Sequence, residues 1–229
     1  ALRLALGSVD MPALREALQD NFRSRMTHSA RLRGRLNDLR EAGDIFERLV
    51  ASEIDYLTGS LQSLERDALN AAVDLLQQHK RIFVFGLGPS ISLVDMLNIR
   101  LTRMGKQVIV LSTSGQEILE PMMLMGGEDV LIAIGFFHLT PTMQMVLDFA
   151  NQRATPVILV TDTLGPLVGG SADVVLAARR GPVSAFHSLT VPMTILNALL
   201  LALSSADQEN VMAHLDQLDQ MRAKLRGAS

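Results

Sequence analysis

The chain has 229 residues, of which 48% are apolar and 20% charged, and its formal net charge at pH 7 is -3. This composition excludes a disordered chain and is typical of a well-buried α/β protein with one sizeable domain and a helical appendage. The absence of cysteine excludes disulfide bonds, thiolate metal sites and cysteine nucleophiles, and the default expectation is a cytoplasmic protein.

The first forty residues are basic, whereas the remainder of the chain is acidic. Arginines outnumber carboxylates in this stretch, with Arg3, Arg15, Arg23, Arg25, Arg31, Arg33, Arg35 and Arg40 against Asp10, Glu16, Asp20 and Asp38. Such asymmetry is typical of a surface that contacts nucleic acid, and an arginine-rich solvated helix is an equally good interpretation. Nothing in this segment has the apolar core and cleavage site of a secretory signal.

Helical periodicity begins near the amino terminus. Apolar residues recur at spacings of three and four over residues 11–25, with Asp10 as the N-cap and Pro12 in the first turn, which predicts a short helix. Residues 27–43 are polar and contain Gly34, so we expect a linker there. Asp44 then opens two further predicted helices, at 45–57 and 64–78.

Beyond Lys80, short apolar runs alternate with helical segments. The runs are continuously apolar, which is the signature of parallel strands buried on both faces. The predicted strands are 81–86, 107–111, 129–134, 156–160 and 172–177, and the predicted helices are 91–104, 116–125, 141–152, 187–203 and 206–225. The fold class is therefore α/β, a five-stranded parallel doubly wound sheet with an α-helical N-terminal segment and right-handed crossovers.

The most apolar of these helices is interrupted too often to span a membrane. The run 191–203 contains Pro192, Thr194 and Asn197 and is shorter than the roughly 20 residues that a bilayer requires. We therefore expect no membrane segment. We do expect self-association into at least a dimer, because this helix and the methionine-bearing helices, with Met122, Met123, Met125, Met143 and Met145, exceed what one sheet needs as cover.

The loop after the first strand, Gly86-Leu-Gly-Pro-Ser90, has the composition of an anion site. Its glycines let the backbone approach a ligand closely, and the following helix offers free amide groups at its amino end. A phosphate site is one interpretation, and an ordinary tight turn is the other. The loop is not a dinucleotide fingerprint, because Ile91 replaces the third glycine and no acidic residue closes the second strand; no cofactor is predicted.

The order of motifs resembles a known family. Residues 81–203 resemble a SIS (sugar isomerase) domain, with the G-x-G-x-S loop at Gly86 to Ser90, Met104-Gly105 before the second strand and Thr161-Asp162 after the fourth. Upstream, Leu4-Ala-Leu-Gly7 and the segment 11–18 are similar to the last part of the helix-turn-helix domain of RpiR-type transcriptional regulators.

This resemblance implies a bacterial sugar-responsive transcriptional regulator. Residues 1–26 would be a remnant of the helix-turn-helix domain, 27–43 a linker, and 44–229 the SIS effector-binding domain with its N-terminal helices. The implied partners are a small-molecule effector such as a sugar phosphate, DNA through the largely missing helix-turn-helix domain, and further copies of the chain in a homodimer or tetramer.

The second ligand loop departs from the family pattern. SIS domains usually bind phosphosugars with an S-x-S-G-x-T loop after the third strand, which here reads Gly135-Phe-Phe-His-Leu-Thr140. Gly135 and Phe137 replace the two serines, and each lost hydrogen bond to phosphate costs roughly 1.5–3 kcal/mol. His138 is either a compensating donor or a solvated loop histidine. Phe136 and Phe137 are expected to be packing residues.

Together these loops define the predicted site. The predicted ligand-binding residues are Gly86, Gly88, Ser90, Ser112, Ser114, His138 and Thr140. No catalytic residue is predicted, and no metal site, because the histidines lack a spacing that places two on one helical face.

Two alternatives to a regulator stay open. A phosphosugar isomerase needs a general base near the sugar, and Glu117, Glu120 and His187 are the candidates, although none lies in a motif of the catalytic enzymes. The other alternative is a SIS dimerisation module that binds no ligand.

Overall fold

The computed structural model describes residues 44–113, 115–162, 170–180 and 188–227, together with Ser29, Leu32 and Leu36. The chain divides into two compact units, one of residues 1–53 and 181–188 and the other of residues 54–180 and 189–229. The predicted helix at 11–25 and the amino-terminal arginines lie outside the described residues. Within the predicted linker, the described residues Ser29, Leu32 and Leu36 are helical.

The first unit contains the beginning of helix α1, Ile45–Ser63. As predicted, Asp44 opens this helix, and its carboxylate accepts a hydrogen bond from the Phe46 backbone N–H at 2.7 Å. The Ser188 hydroxyl donates to the Glu53 carboxylate at 2.7 Å. Ser188, from the segment 181–188, is therefore tied to residues of α1 within this unit.

The second unit is built on one sheet of five parallel strands in the order β2-β1-β3-β4-β5. The strands are β1 Arg81–Gly86, β2 Gln107–Leu111, β3 Asp129–Ile134, β4 Val157–Thr161 and β5 Val174–Ala177. The predicted fold class is confirmed, with three strands at their predicted bounds. Every residue of β3 and β4 is buried, as continuous apolar runs require when helices cover both faces of a sheet.

Helices cover the two faces unequally. Besides α1, they are α2 Arg66–Gln78, α3 Ile91–Arg103, α4 Leu119–Met122, α5 Pro141–Gln152, α6 Thr190–Ala206 and α7 Gln208–Gly227. Helices α2, α3 and α6 pack on the face that carries Ile82 and Val84. Helices α4 and α5 pack on the opposite face, which carries Phe83 and Phe85. This alternation along β1 follows from the two-residue period of a strand.

The helix predicted at 116–125 is wrong in extent. The chain forms a 3₁₀ turn at Gly115–Ile118 and then the short helix α4. Pro121 has no backbone N–H for the helical ladder, and Gly126-Gly127 follow at once. The α-helix is therefore limited to four residues.

Helix α6 covers its own sheet. Its buried residues include Val191, Ile195, Leu196, Leu199 and Leu203, all within the core formed with α2 and α3. The expectation that this helix is surplus apolar surface for a partner is therefore wrong. Within the described part of the chain no single helix is long and apolar enough for a membrane span, although α6 and α7, bent by 103°, meet that test as a pair.

Lys106 fixes the carboxyl end of α2. This helix has no basic residue in its last turn, and Lys106 Nζ donates to the carbonyl oxygens of Leu76 and His79. A cation at this end also compensates the negative end of the helix dipole. Burial lowers the pKa of Lys106, and the nearby Asp207 carboxylate opposes that shift.

A two-pronged ion pair closes the amino-terminal edge of the sheet. Arg81 Nε and Nη2 donate to the two Asp129 carboxylate oxygens at 2.6 and 2.7 Å, and the Gly126 N–H donates to the same carboxylate at 2.8 Å. The hydrogen bond from Arg81 raises the pKa of that guanidinium. Asp129 is 2% exposed and Arg81 is 36% exposed, so this pair joins β1 to β3 at the boundary between the protein interior and solvent.

Candidate ligand site at the carboxyl ends of the strands

The carboxyl ends of all five strands meet at one edge of the sheet. Gly86 lies opposite Ile134, and Thr161 lies opposite Ala177, so the loops that follow these strands start side by side. The strand order reverses between β1 and β3, because β1 pairs with β2 on one side and β3 on the other. Ligands of doubly wound sheets bind at such a switch point.

The first loop forms a tight turn into α3. Gly86 ends β1, and a Cβ there would lie 2.7 Å from the Val94 side chain, so the loop packs directly on α3. Gly88 has φ +57°, in the left-handed region that favours glycine, and opens the 3₁₀ turn Gly88–Ser90. Ser90 is 6% exposed and donates its backbone N–H to the Leu87 carbonyl. Its hydroxyl is therefore held in a shielded position next to the strand ends.

In the second loop, which follows β2, the structure describes only one of the two predicted ligand-binding serines. Ser112 follows β2 and is half-buried. Ser114 lies outside the described residues.

The third loop is shaped by packing and by a helix cap. Thr140 is the N-cap of α5, and its hydroxyl oxygen accepts from the Met143 N–H at 3.1 Å. A Cβ at Gly135 would clash with the Met143 sulfur, so Met143 occupies the space that a serine side chain there would need. Phe137 has φ +68°, and the side chain of His138 is exposed.

Two residues of this edge were missed by the sequence reasoning. Asp162 follows β4, and Arg180 follows β5; their side chains are 7% and 6% exposed, and Arg180 Nη2 donates to Asp162 Oδ2 at 3.2 Å. The Phe137 N–H donates to Asp162 Oδ1 at 3.1 Å. The signal was present, because Asp162 directly follows β4 and Arg180 lies three residues after β5, at the edge where ligands of such sheets bind.

The two phenylalanines hold the arginine. The Arg180 guanidinium carbon lies 3.6 Å from the Phe136 ring centroid and 4.7 Å from that of Phe137. Phe136 also packs against the core beneath α6. A cation over an aromatic face is stabilised by the ring, and the planar guanidinium keeps its donors in the plane of the stack. We call Phe136, Phe137, Asp162 and Arg180 the arginine cluster.

The candidate catalytic residues of an isomerase are not part of the arginine cluster. Glu117 and Glu120 are exposed, and His187 lies outside the described residues. Among the described residues no group of three or more histidine, aspartate or glutamate side chains is placed to hold a metal ion.

The sheet and its helices define a doubly wound α/β domain. The loops at the carboxyl ends of its strands lie where ligands of this class of fold bind. The family model described as the SIS domain matches residues 75–202, more than half of the chain. The chain therefore belongs to the SIS domain family.

One curated protein is similar to this chain in sequence. The HTH-type transcriptional regulator HexR of Escherichia coli (strain K12) is 32% identical over 128 residues, which are 55% of this chain and 42% of HexR. The chain thus spans less than half the length of that curated relative.

Two solved structures share the fold. The sugar isomerase domain of an RpiR transcription factor from Sphaerobacter thermophilus has a TM-score of 0.72 at 22% identity, covering 78% of this chain and 99% of that one. The Vibrio vulnificus NanR protein complexed with ManNAc-6P has a TM-score of 0.68 at 23% identity, covering 83% and 73%. Sugar-phosphate isomerases also share this fold, at lower identity.

Proposed function

We propose that this chain is the effector-sensing and dimerisation part of a transcriptional regulator. The observation that carries this proposal is the 32% identity over 128 residues to HexR, an HTH-type transcriptional regulator. Residues 1–26 would be the remnant of a helix-turn-helix domain, 27–43 a linker, and 44–229 the effector-binding domain. In such a regulator, DNA binding would be the task of a helix-turn-helix domain.

The effector would bind at the carboxyl ends of the strands. Gly86, Gly88 and Ser90 would line one side of this site, Ser112 and Ser114 a second, and His138 and Thr140 a third. The shielded Ser90 and the tight turn at Gly88 support this assignment, since they bring backbone and hydroxyl groups close to a ligand. ManNAc-6P in the NanR complex supports a sugar phosphate or a related metabolite as the effector class.

A regulator fits the described residues better than an isomerase. An isomerase requires a base held near the sugar carbons with its pKa adjusted to the reaction. Glu117 and Glu120 are exposed on and after the turn that follows β2, away from any enclosed position among the described residues. The effector would act by binding two arrangements of the regulator unequally, by about 1–3 kcal/mol.

The test begins with a thermal-shift screen of phosphorylated and unphosphorylated sugars against this chain, because a ligand that binds the folded state raises the melting temperature. Each sugar that binds is then added to the full-length regulator on its operator DNA, and DNA affinity is followed by fluorescence anisotropy. A change in DNA affinity supports the proposal. Conversion of a sugar phosphate by the chain, without an effect on DNA binding, contradicts it.

Ser90→Ala locates the site within that experiment. We expect the variant to lose about 1–3 kcal/mol of effector binding, the scale of one hydrogen bond lost in a shielded site. Ser92→Ala is the matched control, because Ser92 is exposed and its hydroxyl donates to the Pro89 carbonyl. Isothermal titration calorimetry measures both variants. Unchanged effector affinity in Ser90→Ala would place the effector elsewhere.

A further inference from the structure

The arginine cluster brings a carboxylate to the groups that an anionic ligand would use. The Asp162 carboxylate accepts from the Phe137 backbone N–H at 3.1 Å and from Arg180 Nη2 at 3.2 Å. A backbone N–H and a guanidinium are the usual partners of a phosphate or carboxylate ligand. The Asp162 carboxylate therefore occupies the position that the anionic group of a ligand would take.

Two arginine–aspartate pairs lie at opposite edges of the sheet, and they differ in length. At the opposite edge of the sheet, Arg81 binds both oxygens of Asp129 at 2.6 and 2.7 Å. The Arg180 to Asp162 distance of 3.2 Å exceeds the range of about 2.7–2.9 Å for strong charge-assisted hydrogen bonds.

The aromatic rings keep the arginine in place when its partner changes. The rings of Phe136 and Phe137 lie close to the Arg180 guanidinium carbon, whereas guanidinium hydrogen bonds form through its N–H groups. Replacement of one anion by another at those N–H groups leaves the stacking intact. Arginine also stays charged at every physiological pH, so its preference for an anion does not vary.

We propose that Asp162 is an internal competitor for the effector, and that the effector carries a phosphate or carboxylate group that displaces Asp162 from Arg180 and the Phe137 N–H. This inference rests on the proposed effector site and adds its ligand class and its regulation. The closed cluster is one state and the displaced cluster is the other, and the anion shifts the population between them by binding the second state better. The displaced Asp162 carboxylate repels the anionic effector, and this repulsion lowers the affinity of the natural chain for the effector.

The test is the Asp162→Asn variant of the whole chain, titrated with inorganic phosphate and with a hexose 6-phosphate by calorimetry. Asparagine keeps the shape and still accepts the Phe137 N–H, but it removes both the competition for Arg180 and the repulsion. We expect both probes to bind at least about tenfold more tightly than to the natural chain. Adding Arg180→Met to Asp162→Asn should abolish that gain.

Asp129→Asn is the matched control, since Asp129 also pairs with an arginine and accepts a backbone N–H, at the other edge of the sheet. It should lose stability without gaining anion affinity. Equal or weaker anion binding by Asp162→Asn, or tight binding that survives Arg180→Met, overturns the proposal.

A measurement on the natural chain keeps the proposal testable if a variant does not fold. Saturation with the hexose 6-phosphate should shift the NMR signal of the Phe137 amide, because its hydrogen-bond acceptor changes. An unmoved Phe137 amide at saturation contradicts the displacement. Gain of anion affinity in Asp162→Asn without any effect on DNA binding would reject the regulator and leave the internal competitor standing.

Discussion

Two buried threonines of the second unit differ in whether their hydroxyl groups are satisfied. Thr155 is 2% exposed and donates to the Gly126 carbonyl at 2.7 Å. Thr161 ends β4, is fully buried, and its hydroxyl has no hydrogen-bond partner among the residues that the structure describes. A buried polar group without a partner costs about 1–3 kcal/mol of folding free energy.

Thr161→Val should therefore stabilise the protein by about 0.5–1.5 kcal/mol, because valine keeps the shape and removes the unsatisfied hydroxyl. Thr155→Val should have the opposite sign, since it leaves the Gly126 carbonyl without its donor. Urea denaturation of both variants measures the free energy of unfolding. Destabilisation by Thr161→Val would show that a water or ligand satisfies this hydroxyl in solution.

The third loop shows why single residues could not be transferred from the family pattern. The sequence identifies Gly135 and Phe137 as replacements of two serines, and it predicts weakened phosphate binding. The structure adds that Met143 fills the space beside Gly135 and that Phe137 has a left-handed backbone. Restoring the serines would thus require the loop and Met143 to rearrange, and the loss of hydroxyl groups is coupled to a repacked core.

At the scale of elements, Lys106 holds the end of one helix from the turn before a neighbouring strand. Its ammonium group binds two carbonyl oxygens at the carboxyl end of α2 and is half-buried there. Lys106→Met should lower the free energy of unfolding by about 1–3 kcal/mol, because both carbonyl groups lose a charged donor. Circular dichroism during chemical denaturation measures this loss.

Lys80→Met is the control for that measurement. Lys80 is exposed one residue before β1, and a surface substitution of this kind changes stability by less than about 0.5 kcal/mol. Equal effects of Lys80→Met and Lys106→Met would contradict the role of Lys106 at the end of α2.

At the scale of the whole molecule, we predict self-association. The residues on which the sequence prediction rested are mostly buried in the structure, so a different surface must form the interface. Helix α6 covers its own sheet, and Met122, Met125 and Met143 lie in the core. Several helices, α6 included at Leu201, carry exposed apolar side chains, and three of these lie close together in and after α4: Leu119, Met123 and Leu124 are 43%, 63% and 57% exposed. Exposed apolar side chains close together in the sequence are a candidate interface, and a two-fold dimer is the commonest closed assembly.

We therefore expect the chain, 25.0 kDa as a monomer, to sediment as a dimer or larger species at micromolar concentration. Met123→Lys should weaken that association by at least about tenfold, because it brings an unpaired charge into the interface. Gln78→Lys, on the exposed side of α2, should leave it unchanged. A monomer at every concentration tested would refute the prediction.

The sequence by itself determined the α/β class, the five strands and most of the helices. Runs such as residues 82–85 and 130–134 are continuously apolar because both faces of the strand are buried, and this signal is local. The tight turn after β1 was equally predictable, since glycines and a following helix occur together in the sequence. The failed prediction at 116–125 lay where proline and glycine interrupt an apolar periodicity.

The tertiary structure alone decided which side chains meet. Asp162 and Arg180 are separated along the chain by β5, and both lie far from Phe136, so no periodicity relates them. Parallel strands carry their following residues to one edge of the sheet, and there the carboxylate, the guanidinium and two aromatic rings come within contact distance. Local sequence patterns define elements, whereas long-range pairing of strands sets the contents of the site.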